Sequence, residues 1–244
     1  MLVDSRLSPS VEHVAEVLRK TVFSTCTPEQ FASVCARLMV RSESRRRIIV
    51  EQDQPLDYLG VVLDGVMGVT VLASNADDGR PRYMRVTEAF PGSLFGETAL
   101  LDSSLAVGRV SVLTKQARFA LIPRSVVLDL CEKNPAFLMA LARESALRTR
   151  ELTRRLAAQA SQPIISRIAS VLLPYCDPNQ DGLAPANSYL SEITQTDIAS
   201  TAGTVKEVAA RTIAQLEREG ALQRERGRIR YLCRAKLSEF ALTK

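Results

Sequence analysis

Lys206, Glu207, Ala210 and Arg211 sit together in a stretch whose residue types suit the reading of base edges. Arginine is the best bidentate partner for guanine O6 and N7, and a glutamate accepts from cytosine N4. Such side chains matter only if a helix delivers them. Ile198, Ala199 and Ala202 have the spacing of a helix packing face, Gly203 stops that helix, and Thr204 begins another. Thr204 and Glu207 stand at capping-box spacing, and Val208, Thr212, Ile213 and Leu216 continue the buried side. Two short helices joined by a glycine turn predict a helix-turn-helix. In that geometry the start of the second helix enters the major groove.

The stretch from Glu219 to Leu232 reads as a hairpin with a glycine turn at Gly227, and Arg224, Arg226, Arg228 and Arg230 alternate along it. Alternation at strand spacing puts them on one face. A wing laid on a phosphate backbone is the expectation, with Arg226 and Arg228 as contacts that gain affinity by counterion release. A net charge of +5 and a pI near 9.1 favour a polyanionic partner.

Other chemistries find little support. The five cysteines, Cys26, Cys35, Cys131, Cys176 and Cys233, are scattered without a C-x-x-C pair, so no metal site is expected. A redox-sensitive role for one of these thiols stays open as the alternative. His13 is the only histidine and falls on the polar side of the first helix. One histidine and no clustered acids leave an enzyme without a nucleophile–base pair, and no enzyme is expected. No apolar run approaches the ~18–20 residues needed to span a bilayer, and the start lacks a signal-peptide pattern. A cytoplasmic protein with no membrane partner is the expectation.

The elements that must position these residues are legible in outline. A helix is predicted over 8–22, and a second after Thr27-Pro28-Glu29 with Phe31, Val34 and Leu38 inward. From Ile48 to Ile122 short β-branched runs alternate with Asp64-Gly65, Asp77-Asp78-Gly79 and Pro91-Gly92, the texture of an antiparallel roll. No Gly or Pro interrupts residues 136–162, and some 25 helical residues cover ~37 Å. Such a helix joins domains or pairs with a copy of itself, unless it lies packed on the roll. Leu138, Leu141, Ser145, Leu152 and Leu156 are its candidate dimer-interface residues. Pro163 starts a new helix. The expected fold is α+β, with a β-roll over 1–134, a dimerisation helix over 135–161 and a winged helix-turn-helix over 162–244.

From Arg167-Ile168-Ala169 through Leu232 the chain resembles the CRP/FNR superfamily of bacterial regulators. That family's motif runs T-Q-x-D-[LI]-A, then R-E-x-x-x-R, then L-E-x-x-G-L. Thr194, Gln195, Asp197, Ile198 and Ala199 match its first part, and Leu216, Glu217 and Gly220 its last. Lys206, Glu207 and Arg211 match the base-reading trio, with Lys for the usual Arg; lysine lacks the planar fork. The resemblance implies DNA contacts from Thr194, Gln195 and Thr204 as well. It implies an N-terminal cyclic-nucleotide-binding-type β-roll, a homodimer on palindromic double-stranded DNA with TGTGA- or TTGAT-like half-sites, and RNA polymerase as a partner of a transcription activator.

The family's effector cassette runs G-E-x-A-L-L followed by P-R-[AST]-A, and Gly96, Glu97 and Thr98 open its first half here. In cAMP-binding members the Glu takes the ribose 2′-hydroxyl. The phosphate-gripping Arg falls at Ala106 or Val107, neither of which pairs an anion, and Arg109 stands close but late. Losing a charge-assisted phosphate contact weakens binding greatly. The adenine-contacting pair lands at Leu152 and Thr153. Weak or atypical cAMP binding, no nucleotide effector, and a different ligand all remain open at this point.

Overall fold

The computed structural model describes residues 11–75 and 81–242, so the expected Asp77-Asp78-Gly79 turn and the Ser8-Pro9 helix start lie outside the described residues. Two compact units make up the chain. The first takes residues up to Met67, Ala89–Val112 and Gln116–Arg148; the second takes Gly68–Glu88, Leu113–Lys115 and Thr149–Lys244.

The first unit opens with helices α1 (Val11–Arg19) and α2 (Pro28–Arg37). Thr27 caps α2 in a complete capping box with Gln30, and Pro28 takes the first turn, where a missing N–H costs nothing. Strands β1 (Met39–Ser44), β2 (Ile48–Val50) and β3 (Tyr58–Asp64) follow. Next in the chain is a hairpin of β4 (Met67–Asn75) and β5 (Pro81–Ala89), most of which belongs to the second unit. Then come β6 (Leu94–Phe95), α3 (Glu97–Asp102), β7 (Arg109–Val112), β8 (Gln116–Pro123) and α4 (Arg124–Lys133). One antiparallel sheet runs β1-β8-β3-β6, and β2 pairs with β7. The central strand β3 is buried almost throughout, with Leu59, Val61, Val62 and Leu63 closed to solvent. Leu18, Phe23, Phe31 and Val34 cover it from the helical side, together with Val127 and Leu130. Burying side chains of this size stabilises by about 1.5–3 kcal/mol each.

Helix α5 (Pro135–Ser161) is long and uninterrupted, and its first half closes the roll. Phe137 and Leu141 are fully buried in the same core, with Phe137 packed on Phe23 at 5.3 Å between ring centroids.

In the second unit, α6 (Ile164–Leu172), β9 (Leu183–Pro185), α7 (Gln195–Thr201) and α8 (Lys206–Arg218) are followed by β10 (Leu222–Glu225), β11 (Arg228–Cys233) and α9 (Arg234–Leu242). A small antiparallel sheet has the order β10-β11-β9. Its core joins Ile168 and Leu172 with Ile198, Ile213, Leu216, Leu232 and Leu237. This is a winged helix-turn-helix. Among the described residues no helix is long and apolar enough to cross a membrane.

Candidate functional site

Thr194 caps α7: its hydroxyl accepts from the Asp197 amide at 3.1 Å, and the Asp197 carboxylate accepts from the Thr194 amide at 2.9 Å. α7 then ends in a tight turn. Gly203 holds φ +66, a conformation glycine adopts without strain, and the Thr204 amide reaches back to the Ala199 carbonyl at 2.9 Å. Arg167 fastens the turn from α6, donating to the Ala202 and Gly203 carbonyls at 3.0 and 3.3 Å. The expected capping box at Thr204 is not formed. Because Thr204 closes α7, the N-cap of α8 passes to Val205, which makes no side-chain capping bond.

α8 buries Ala209, Thr212, Ile213 and Leu216. Val208, expected inward, is only half-buried, and Ala209 takes the deeper place. Lys206, Glu207 and Arg211 stand exposed, with Thr204 and Ala210 half-buried beside them. Thr194 is exposed and Gln195 half-buried at the start of α7.

The wing turns at Arg226 and Gly227, both at positive φ (+50 and +76), with Glu225 opposite Arg228 in register. Positive φ at both central residues fits the right-handed twist of the flanking strands. Arg226 and Arg228 are exposed, and Arg228 donates to the Ser191 carbonyl at 3.1 Å. The four arginines do not form one free face. A register shift at Gln223/Arg224 accompanies a turn of Arg224 onto Glu217 of α8, with Nε at 2.8 Å from Oε2 and the Arg224 amide at 2.9 Å from Oε1. This pairing holds the Glu217 carboxyl below its ordinary range.

A second set of polar contacts, invisible in the sequence pattern, grips the helix-turn-helix from β5. Arg85 donates to the Asp197 carboxylate at 3.0 Å and to its carbonyl at 3.2 Å. Glu88 accepts from the Tyr175 hydroxyl at 2.6 Å on one oxygen and from the Thr201 hydroxyl at 3.0 Å on the other. Burial works against the ionised Asp197, but Thr194 and Arg85 outweigh it, so its carboxyl lies below the usual range. Burial, reinforced by the neighbouring Glu88 carboxylate, pushes the Tyr175 hydroxyl far up. The inward positions of β5 carry Arg85 and Thr87, which inverts the apolar-inward alternation by which strands are read.

In the roll, Gly96 at φ +86 is the N-cap of α3, and Glu97 follows as its first residue. Glu97 is 2% exposed, and its Oε1 pairs with Nη1 of Arg148 on α5 at 2.9 Å. Arg148 also donates to the Leu94 carbonyl at 2.7 Å. Burial raises the Glu97 carboxyl above its ordinary range, only partly countered by Arg148. Its Oε2 is buried without a hydrogen-bond partner among the described residues, an acceptor suited to a hydroxyl donor. Thr98 is exposed. The anion-binding half is different: Ala106 is buried, Val107 exposed, and Arg109 pairs with Glu51 at 2.8 Å. Glu97 Oε2 thus suits a hydroxyl-bearing group, whereas Ala106 and Val107 offer no charged side chain and the Arg109 guanidinium is already paired with Glu51. Leu152 is half-buried, and the Thr153 hydroxyl donates to the Thr149 carbonyl at 2.8 Å within α5.

The expected dimer face needs one correction. Leu141 is fully buried in the roll core and cannot meet a second chain, because its side of α5 faces Phe137's cluster. Leu138 and Leu156 are exposed, whereas Ser145 and Leu152 are half-buried. The continuous exposed stripe is Met139, Ala142, Ala146, Thr149, Thr153, Leu156 and Ala160, which repeats at alternating three- and four-residue steps.

Residues 40–134 match the family described as cyclic nucleotide-binding domain, and residues 166–240 match the Crp-like helix-turn-helix domain. A CRP-like cAMP-activated global transcriptional regulator of Mycobacterium tuberculosis is 21% identical over 207 residues, covering 85% of this chain and 90% of the relative. Among solved structures, FixK2 of Bradyrhizobium japonicum has a TM-score of 0.70 at 19% identity, over 85% of this chain and 98% of that one. A CRP/FNR-family transcriptional regulator of Thermus thermophilus has a TM-score of 0.63 at 23% identity, over 84% and 99%. These structures share the fold.

Proposed function

The chain belongs to the CRP/FNR family of DNA-binding transcription regulators, and from that premise we propose that it acts as a homodimer on a palindromic site. The observation that carries the reading is α8: it buries one side and presents Lys206, Glu207 and Arg211 on the other, at the open end of a helix-turn-helix. The exposed stripe on α5 supports pairing with a second copy, and two-fold symmetry sets the half-sites about one DNA turn apart. Thr194, Gln195, Arg226 and Arg228 supply contacts to the phosphate backbone, which position the protein without reading sequence. RNA polymerase is the proposed further partner, and the cytoplasm the place of action.

The effector pocket supports a regulator whose DNA binding answers little to cAMP. Glu97 already holds Arg148, and the position of the phosphate-gripping arginine carries Ala106 or Val107. The test is fluorescence anisotropy on a labelled TGTGA–spacer–TCACA duplex against a scrambled one, at fixed salt, with and without cAMP. Tight binding to the palindrome that falls with rising salt and is unchanged by cAMP is the expected result. Equal affinity for both duplexes overturns the base-reading role of α8; a large gain with cAMP overturns the reading of the pocket.

A further inference from the structure

Val205 stands at a position where helices ordinarily place Ser, Thr, Asp or Asn, whose side-chain oxygens accept from a free amide of the first turn. Its backbone is extended (φ −93, ψ 156), its carbonyl accepts the first bond of α8 from the Ala209 amide at 3.0 Å, and its side chain caps nothing. It is also 60% exposed. Among the described residues of the winged helix, the large apolar side chains left open to solvent are Leu183, Val205 and Leu242, and of these Val205 alone lies on the helix-turn-helix. An isopropyl group at this point costs a cap and solvates an apolar surface.

The geometry around it is rigid. The Thr204 amide is tied to Ala199, and Arg167 holds the carbonyls of Ala202 and Gly203, so the chain enters α8 along a fixed path. A β-branched side chain has few rotamers to lose. Lys206 and Glu207, directly beside it, are exposed and polar. The major groove offers donors and acceptors to such neighbours, and one apolar feature, the C5 methyl of thymine. A valine side chain neither donates nor accepts, so it serves neither a phosphate oxygen nor a polar base edge.

We propose that Val205 is a specificity-determining residue that reads one thymine per half-site through its 5-methyl group. This rests on the reading of α8 as the recognition helix. Burying one methyl group against another apolar surface corresponds to about fourfold in affinity, or about 0.8 kcal/mol, for each half-site.

The experiment is a uracil scan. In the palindromic duplex each thymine is replaced in turn, in both half-sites, by deoxyuridine, which removes only the methyl group, and Kd is measured for wild type, Val205→Ala and Val205→Ser. One position is expected to cost the wild type about fourfold per half-site while costing neither variant anything. Val205→Ser, which regains a capping oxygen, is expected to melt higher than wild type yet remain blind to that methyl; a purely structural role would not separate the two readouts. Identical uracil penalties in wild type and Val205→Ala at every position overturn the proposal. Wild-type protein that binds palindrome and scrambled duplex alike overturns the recognition-helix reading itself, and the methyl readout with it.

Discussion

Replacing Arg85 by alanine removes a guanidinium whose side chain is 10% exposed and whose partner, the Asp197 carboxylate, is 15% exposed. Two bonds go with it, to the carboxylate at 3.0 Å and to the Asp197 carbonyl at 3.2 Å. Breaking a buried pair outright costs about 3–5 kcal/mol, because a charge is left without compensation. Asp197 is not abandoned, however, since Thr194 still donates its amide and hydroxyl to the same carboxylate. The expected loss is therefore nearer that of charge-assisted hydrogen bonds, about 2 kcal/mol. For a chain of this length that lowers Tm by roughly 4–8 °C. The deficit also has a pH signature. A carboxyl held below its unfolded value stabilises the fold fully above the unfolded pKa of about 3.9 and loses that contribution as pH falls through the folded one. Thermal melts of wild type, Arg85→Ala, Asp197→Asn and the double variant, run at pH 7 and again in acid, test this. A coupling of at least 1 kcal/mol at pH 7 that shrinks in acid is expected. Additivity within about 0.3–0.5 kcal/mol would show that the pair is incidental and that β5 does not hold α7 through it.

Four further substitutions, in other parts of the chain, have outcomes set by the structure. Glu97→Gln is expected to flatten the pH dependence of stability above pH 4: a buried carboxyl with a raised pKa binds its proton more tightly folded than unfolded, so wild-type stability falls as pH rises towards the folded value. Urea melts across pH 4–8 that keep the same slope in both proteins would refute this. Leu141→Ala should cost about 2–5 kcal/mol as a core cavity without changing the oligomeric state, whereas Ala146→Glu on the exposed stripe should leave the roll's stability nearly unaltered and yield monomers in sedimentation velocity. Gly203→Ala should destabilise by about 1–2 kcal/mol, since it combines a positive φ with a new Cβ only 3.0 Å from the Gln159 amide nitrogen; relief by Gln159→Ala should be partial, because the backbone strain remains, and full relief in melting experiments would assign the whole cost to the contact.

What the sequence made legible is what repeats or punctuates. Buried positions of α8 recur at helical spacing, β3 is a continuous apolar run, and Gly203 and Gly227 mark turns that need positive φ. Those signals are local, and they carried the winged helix and most of the roll. β1 gave no such signal because nearly every residue of Met39–Ser44 is exposed on an edge strand, and β6 is two residues long. β5 was hidden for a different reason: its inward residues include Arg85 and Thr87. The mistaken cap at Thr204 arose because spacing identifies a Thr and a Glu three residues apart but not which helix the Thr amide serves.

Polar partners are the part that spacing cannot supply, and they decide the chemistry here. Arg224 reads as one of four wing arginines until Glu217 is seen to hold it by backbone amide and guanidinium together. Arg109 reads as a displaced phosphate ligand until Glu51 is seen to pair with it, and Arg148 reads as one of many charges on α5 until it is found on Glu97. A free guanidinium counts towards DNA or an anionic effector; a paired one must first give up a charge-assisted bond, each contributing about 1.5–3 kcal/mol. On that scale the wing loses one of its apparent phosphate contacts, and Arg109 cannot turn to cAMP without leaving Glu51 unpaired. The exposed Lys206, Arg211 and Arg226 face no such cost among the ion pairs formed by the described residues, which is why the positive charge of this chain is expected to be felt at α8 and the wing tip rather than around Glu97 and Arg109.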